Sequence, residues 1–133
     1  MWFVSIKLPH IELPKSARFV TVGVIVLVGL SLMFPAFAAF RKSHTTINPL
    51  KPEQATVLVT DGVFAFTRNP MYLSLSLFLI AYAVFLSSLP ALIGPVVFFA
   101  FINRFQIVPE ERALKATFGT TYIDYMRRVR RWL

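Results

Sequence analysis

Cysteine is absent from the 133-residue sequence, which excludes disulfides, thiolate metal sites and a thiol nucleophile. Histidine is nearly absent: His10 and His44 are too few and too far apart for a zinc site, and no metal is expected. Acidic side chains are scarce, six against fourteen Lys and Arg, and the net charge is +8. Such an excess can serve nucleic acid. Here the basic residues flank apolar runs instead of interleaving with exposed aromatics, so the expected partner is a bilayer and not nucleic acid. What is abundant is grease. Hydrophobic residues make up 56% of the chain, with 14 Phe. A soluble domain of this size needs a more polar surface, so a single membrane domain spanning 1–133 is expected.

The apolar residues fall into runs. Met1 to Ile6 is too short to cross a bilayer and is expected at the interface. Phe19 to Phe40 carries no charge over 22 residues, about 33 Å as a helix and enough to cross. Its end, Pro35-Ala36-Phe37-Ala38-Ala39, resembles a signal-peptidase site, so a cleaved leader is the rival; Glu12 and two prolines ahead of it argue for a span. A connector, Arg41 to Asn69, holds the turn signals Asn48-Pro49, Lys51-Pro52 and Asp61-Gly62. Within it Val57-Leu58-Val59-Thr60 is too short for a strand and is expected to pack on the bilayer surface. Asn69 to Asn103 is again uncharged. One helix through it would greatly exceed the hydrocarbon thickness, so Ser87-Ser88-Leu89-Pro90 is read as a hairpin turn.

The expected fold is therefore all-α and integral to the membrane. It has three transmembrane helices, about 19–40, 71–88 and 91–108, with tail helices over 109–131. Connector and tail carry Arg41, Lys42, Lys51, Arg68, Arg112, Lys115, Arg127, Arg128, Arg130 and Arg131, and are expected to be cytoplasmic. Lys7, Lys15 and Arg18 then fall on the other side, against the usual charge bias. In the tail, Pro109 fits a first helical position with Glu110 and Glu111 in the first turn. Phe118-Gly119 ends that piece, and Thr121 with Asp124 reads as a capping box. Tyr122, Tyr125, Met126 and Val129 form an apolar stripe, predicting a basic amphipathic helix along the leaflet.

Two polar clusters bracket the hairpin. The first is Thr67-Arg68-Asn69-Pro70-Met71-Tyr72-Leu73; the second is Pro109-Glu110-Glu111-Arg112, followed by Phe118-Gly119 and Tyr122. Together with Asp61-Gly62-Val63-Phe64, Leu114, Tyr125 and the terminal Val129-Arg130-Arg131-Trp132-Leu133, these resemble the isoprenylcysteine carboxyl methyltransferase and phospholipid methyltransferase superfamily. Thr45-Thr46-x-Asn48-Pro49 is similar to its small bacterial branch. The resemblance covers 41–133 well. It departs at Val63 and Ala65, where a proline and an arginine are usual, at Asn69, usually His, and at Ser74, usually Gly. The family generally has a further upstream helix, here reduced to residues 1–18.

The resemblance implies a bacterial inner-membrane enzyme that takes S-adenosylmethionine from the cytosol. It would methylate a lipophilic or small acceptor of isoprenylcysteine-carboxylate or phospholipid type. Arg68, Asn69, Pro70, Tyr72, Glu110, Glu111, Tyr122 and Tyr125 would line the cofactor, with Arg104, Glu110 and Glu111 serving the chemistry. A cation for the cofactor's carboxylate, carboxylates for its hydroxyls and ammonium, and aromatic faces near the sulfonium are the groups such a ligand needs. Each residue also has an architectural reading. Arg68 can anchor among lipid phosphates, Asn69-Pro70 can cap a helix, Tyr72 can belong to an aromatic belt, and Glu111 can pair with Lys115. Arg104, inside a span, is expected either to snorkel or to pair with Glu110 or Glu111. The alternative to an enzyme is a non-catalytic membrane scaffold derived from this family.

Overall fold

In the computed structural model, residues 12–43 and 57–133 are described. The expectations for Met1 to Ile6, His10, His44, Thr45 to Pro49 and Lys51-Pro52 lie outside those residues. The described residues are helix, turn and coil, with one isolated bridge residue, Ser88, and no strand among them. Helix α1 runs Lys15–Lys42, and a 3-10 turn at Gly62–Ala65 leads into α2, Pro70–Phe85. A second 3-10 turn, Leu89–Leu92, opens a continuous helical stretch to Phe118. That stretch contains α3 (Ile93–Phe101), a π-helical segment (Ile102–Ile107) and α4 (Val108–Phe118); α5, Thr120–Arg128, follows.

Two helices, Lys15–Lys42 and Leu89–Phe118, are long and apolar enough to cross a bilayer. The third expected span is shorter than the sequence implied. With 16 residues, α2 reaches about 24 Å, against roughly 30 Å of hydrocarbon. It stops at Leu86 because Ser87 takes φ +50°, outside the helical region.

The expected break before the tail is also absent. Pro109 has no N–H and crowds the carbonyl four residues back, which should interrupt a regular helix. The chain widens instead into the π turn at Ile102–Ile107, which contains Phe105, and continues unbroken into α4. The wall carrying Glu110 and Glu111 is thus an extension of the long apolar helix that begins at Leu89. The break comes at Gly119, whose φ of +57° and ψ of −127° are open to glycine and strained for other residues.

Helices α1 and α2 pack antiparallel, with Phe19 against Phe85 at one end (ring centroids 6.3 Å) and Phe40 against Phe64 near the other (5.3 Å, edge to face). Midway, a side chain at Gly29 would put its Cβ 2.5 Å from the Phe78 ring, so glycine there allows the close approach. A cluster of buried residues lies at one end of the bundle: Ala36, Val59, Phe64, Tyr122, Tyr125 and Val129. Two expectations are corrected by it. Val59 is core, not a surface-lying segment. The apolar stripe of α5 packs on the protein's own interior, so it is not available to a leaflet. The capping box is not formed either. Thr121 is inside α5, which has no side-chain cap, and Asp124 instead faces Arg127 at 3.8 Å on the surface.

Candidate functional site

Three separated chain segments meet at the cored end of the bundle. Glu111, on α4, is buried and accepts from Arg68 Nη1 (2.9 Å), Arg131 Nε (2.9 Å) and Arg131 Nη2 (2.7 Å). A carboxylate so buried needs cations and donors on both oxygens, and two guanidiniums supply them. Arg68 is as buried as its partner, at 9% side-chain exposure each, whereas Arg131 keeps 32%. Lys115, the expected helical partner of Glu111, is exposed and unused in this cluster.

Arg131 is held from several directions. Beyond α5 the chain folds back, and the Arg130 carbonyl accepts the Arg68 backbone N–H at 3.0 Å. The Arg131 carbonyl accepts Asn69 Nδ2 at 2.9 Å and the Thr67 hydroxyl at 3.4 Å. Its Nη1 reaches Asn103 Oδ1 at 3.1 Å, and Trp132 stacks on Phe99 with centroids 4.5 Å apart. Asn69 therefore ties the tail to the start of α2 and makes no side-chain cap; Pro70 occupies the first helical turn as expected.

Glu110 lies in a different environment. Its Oε1 accepts the Tyr72 hydroxyl at 2.5 Å and Gln106 Nε2 at 3.2 Å. Among the described residues no cation is in ion-pair contact with it. Adjacent carboxylates thus differ in kind, one neutralised by two arginines and one held by neutral donors.

Glu110, Glu111, Arg68 and Asn69 form the polar side of a cavity of about 110 Å³. Phe40, Phe64, Tyr122 and Tyr125 give it aromatic walls, and Val57 to Val59, Ile107 and Leu114 complete it. The Tyr125 hydroxyl donates to the Phe64 carbonyl at 2.7 Å, fixing α5 against the turn before α2. Burial pushes both the Tyr122 and the Tyr125 phenols above their ordinary value. Both stay neutral donors at physiological pH. Arg68 Nε is buried without a hydrogen-bond partner, and leaving such an atom unpaired costs about 1–3 kcal/mol.

Of the residues marked out in the sequence, Arg68, Asn69, Glu110, Glu111, Tyr122 and Tyr125 border the cavity. Tyr72 reaches its edge through Glu110, and Pro70 is fully buried behind it. Arg104 does not converge with them. It is exposed, with its guanidinium 6.0 Å from the Phe105 ring, and neither glutamate is its partner. Arg131, Asn103 and Gln106 were missed. Asn103, Gln106 and Glu110 recur at helical spacing, and that polar stripe was the available signal.

The model of the phospholipid methyltransferase family matches residues 17–121. An uncharacterised protein of Haemophilus influenzae is 46% identical over 63 residues, which is 47% of this chain and all of that protein. A protein-S-isoprenylcysteine O-methyltransferase B of Arabidopsis thaliana is 29% identical over 106 residues, covering 79% of this chain. The match takes in 53% of the Arabidopsis protein, so this chain spans about half the length of that relative.

Proposed function

Since this chain belongs to the phospholipid methyltransferase family, we propose that it transfers a methyl group from S-adenosylmethionine to a lipophilic acceptor at the membrane surface. The family and the two long apolar helices together make it a membrane protein. The observation that carries the enzymatic reading is the cavity where Arg68, Glu110 and Glu111 converge under aromatic walls.

The donor set suits the cofactor. Arg68 Nε is a buried donor without an acceptor, matched to a carboxylate. Glu110, which pairs with no cation among the described residues, suits an ammonium or ribose hydroxyls. The Tyr122 and Tyr125 faces suit an adenine ring or a sulfonium. Glu111 lines the cavity and, bonded to two arginines, also orients Arg68 and holds the tail in place. At about 110 Å³ the cavity is smaller than the roughly 300–1,000 Å³ of ordinary small-molecule sites, so in this conformation it admits one end of the cofactor.

When bound, the cofactor supplies an activated methyl group for in-line displacement. The protein's contribution is alignment and dryness. Ile107, Leu114 and Phe64 exclude water, and the arginine–glutamate cluster fixes the polar wall before the ligand arrives. Acceptors of isoprenylcysteine-carboxylate and of phospholipid type both remain within this reading, with connector and tail on the cytoplasmic side of a bacterial inner membrane.

The test is methyl transfer from radiolabelled S-adenosylmethionine into a total membrane lipid extract by the purified chain. Label is expected in the lipid phase and lost in Arg68→Ala. A lipid phase without label, alongside a protein that binds no S-adenosylhomocysteine, would replace the enzyme with the scaffold.

A further inference from the structure

The other end of the bundle carries an unexplained cation. Arg18 lies near the start of α1, 22 residues before the cavity-lining Phe40, or about 33 Å along the helix. Its Nη1 donates to the Ser87 hydroxyl at 3.0 Å, and the guanidinium lies 5.5 Å from the Phe19 ring and 6.0 Å from the Phe85 ring. Its Nε is buried without a hydrogen-bond partner. Ser88, the next residue in the turn, is 2% exposed, and its hydroxyl is also buried without a partner.

Among the described residues no carboxylate pairs with Arg18. The chain's six carboxylates are Glu12, Glu53, Asp61, Glu110, Glu111 and Asp124. Asp61, Glu110, Glu111 and Asp124 belong to the segments at the cavity end. Glu53 is in the connector beyond α1, outside the described residues, and residues 1–11 contain no acid at all. Glu12 is exposed and makes no ion pair among the described residues. Buried polar atoms are normally hydrogen-bonded, so two unpartnered ones beside a cation that makes no ion pair among the described residues need a ligand or another explanation.

We propose that Arg18, Ser87 and Ser88 form a phosphate-binding site at the end of the bundle opposite the cavity. The spacing identifies the setting. About 33 Å is close to the hydrocarbon thickness, so with the cavity at one headgroup layer Arg18 lies at the other. There, phosphate oxyanions of lipid headgroups are the concentrated ligand, and free phosphate offers the same chemistry. The exposed Phe19, Phe85 and Leu89 beside the site give acyl chains a surface to lie on. The site also accounts for a basic residue on the side that the charge bias disfavours.

The experiment uses the full chain in a neutral detergent, with lipid binding read by native mass spectrometry and thermal midpoint. Phosphatidylglycerol should bind and raise the midpoint, and Arg18→Gln should weaken that binding about ten- to a hundredfold, the loss of one or two charge-assisted hydrogen bonds. Ser88→Ala should weaken it less, and Arg18→Lys should keep part. Arg128→Gln, at the other end, should leave it unchanged. If inorganic phosphate alone reproduces the effect, the ligand is the free ion; if only the lipid does, it is a headgroup. Equal binding by wild type and Arg18→Gln, or no response to either probe, overturns the proposal. Should Arg18→Gln fail to fold, Ser88→Ala with wild-type binding overturns it as well.

Discussion

Glu111→Gln separates the two adjacent carboxylates most sharply. Glu111 accepts three hydrogen bonds from two guanidiniums and is 9% exposed; Arg68 is equally buried, and Arg131 is a third open to water. Glutamine keeps the shape but removes the charge and points an amide donor at groups that are all donors. Breaking a buried pair from one side costs about 3–5 kcal/mol, because the remaining charge stays desolvated. Arg131 can turn partly to solvent and Arg68 cannot, so the lower end applies, about 3 kcal/mol. Glu110→Gln loses no cation and should cost about 1 kcal/mol. In detergent the first variant should therefore unfold on the order of 10 °C below wild type and the second within a few degrees. The double variant with Arg131→Gln should lose less than the sum of the singles, since the two share one interaction. Equal midpoints for Glu111→Gln and Glu110→Gln, or strict additivity with Arg131→Gln, would refute the division of roles.

Gly119→Ala should destabilise by about 1–3 kcal/mol through backbone strain alone, since its positive φ is unfavourable to side chains and a methyl group there would meet nothing within 4 Å. Gly119→Ser should cost the same, and a size-dependent loss would contradict this. Tyr125→Phe removes the bond to the Phe64 carbonyl and should cost about 1 kcal/mol at neutral pH. Burial holds the Tyr125 phenol above its ordinary value, so its contribution is intact below about pH 10 and is lost as pH rises beyond, where only the unfolded chain ionises. The variant should therefore show a shallower alkaline decline in midpoint than wild type. Because native cysteine is absent, single cysteines report topology cleanly. Ser16 and Leu89 positions should label from one side of a vesicle and Lys42 and Thr117 positions from the other; a common side for all four would rule out the hairpin crossing.

Much of this architecture is legible in the residues because hydrocarbon imposes simple rules. Uncharged length locates α1 and the hairpin, and Pro70 and Gly119 punctuate as their backbone restrictions require. Residues far apart in order, Arg68 and Glu111, are expected together and lie 2.9 Å apart. What misled the reading was local signal overridden by tertiary context. Pro109 reads as a helix start, but a π turn absorbs it; Thr121 and Asp124 read as a cap, but Gly119 already sets the helix start. Arg131 reads in sequence as one of the tail's cytoplasmic basic residues. Its role depends on the chain folding back beyond α5 onto Thr67 to Asn69, a long-range backbone pairing that no periodicity encodes.

The most direct measurement is a calorimetric titration of the purified chain with S-adenosylhomocysteine, set beside Leu114→Trp, which fills the cavity, and Glu110→Gln, which removes the carboxylate held there by neutral donors. Saturable one-to-one binding by the wild type, abolished by the tryptophan and weakened by the glutamine in folded protein, is the expected result. Absence of binding by the wild type, or affinity untouched by the blocked cavity, would contradict the account.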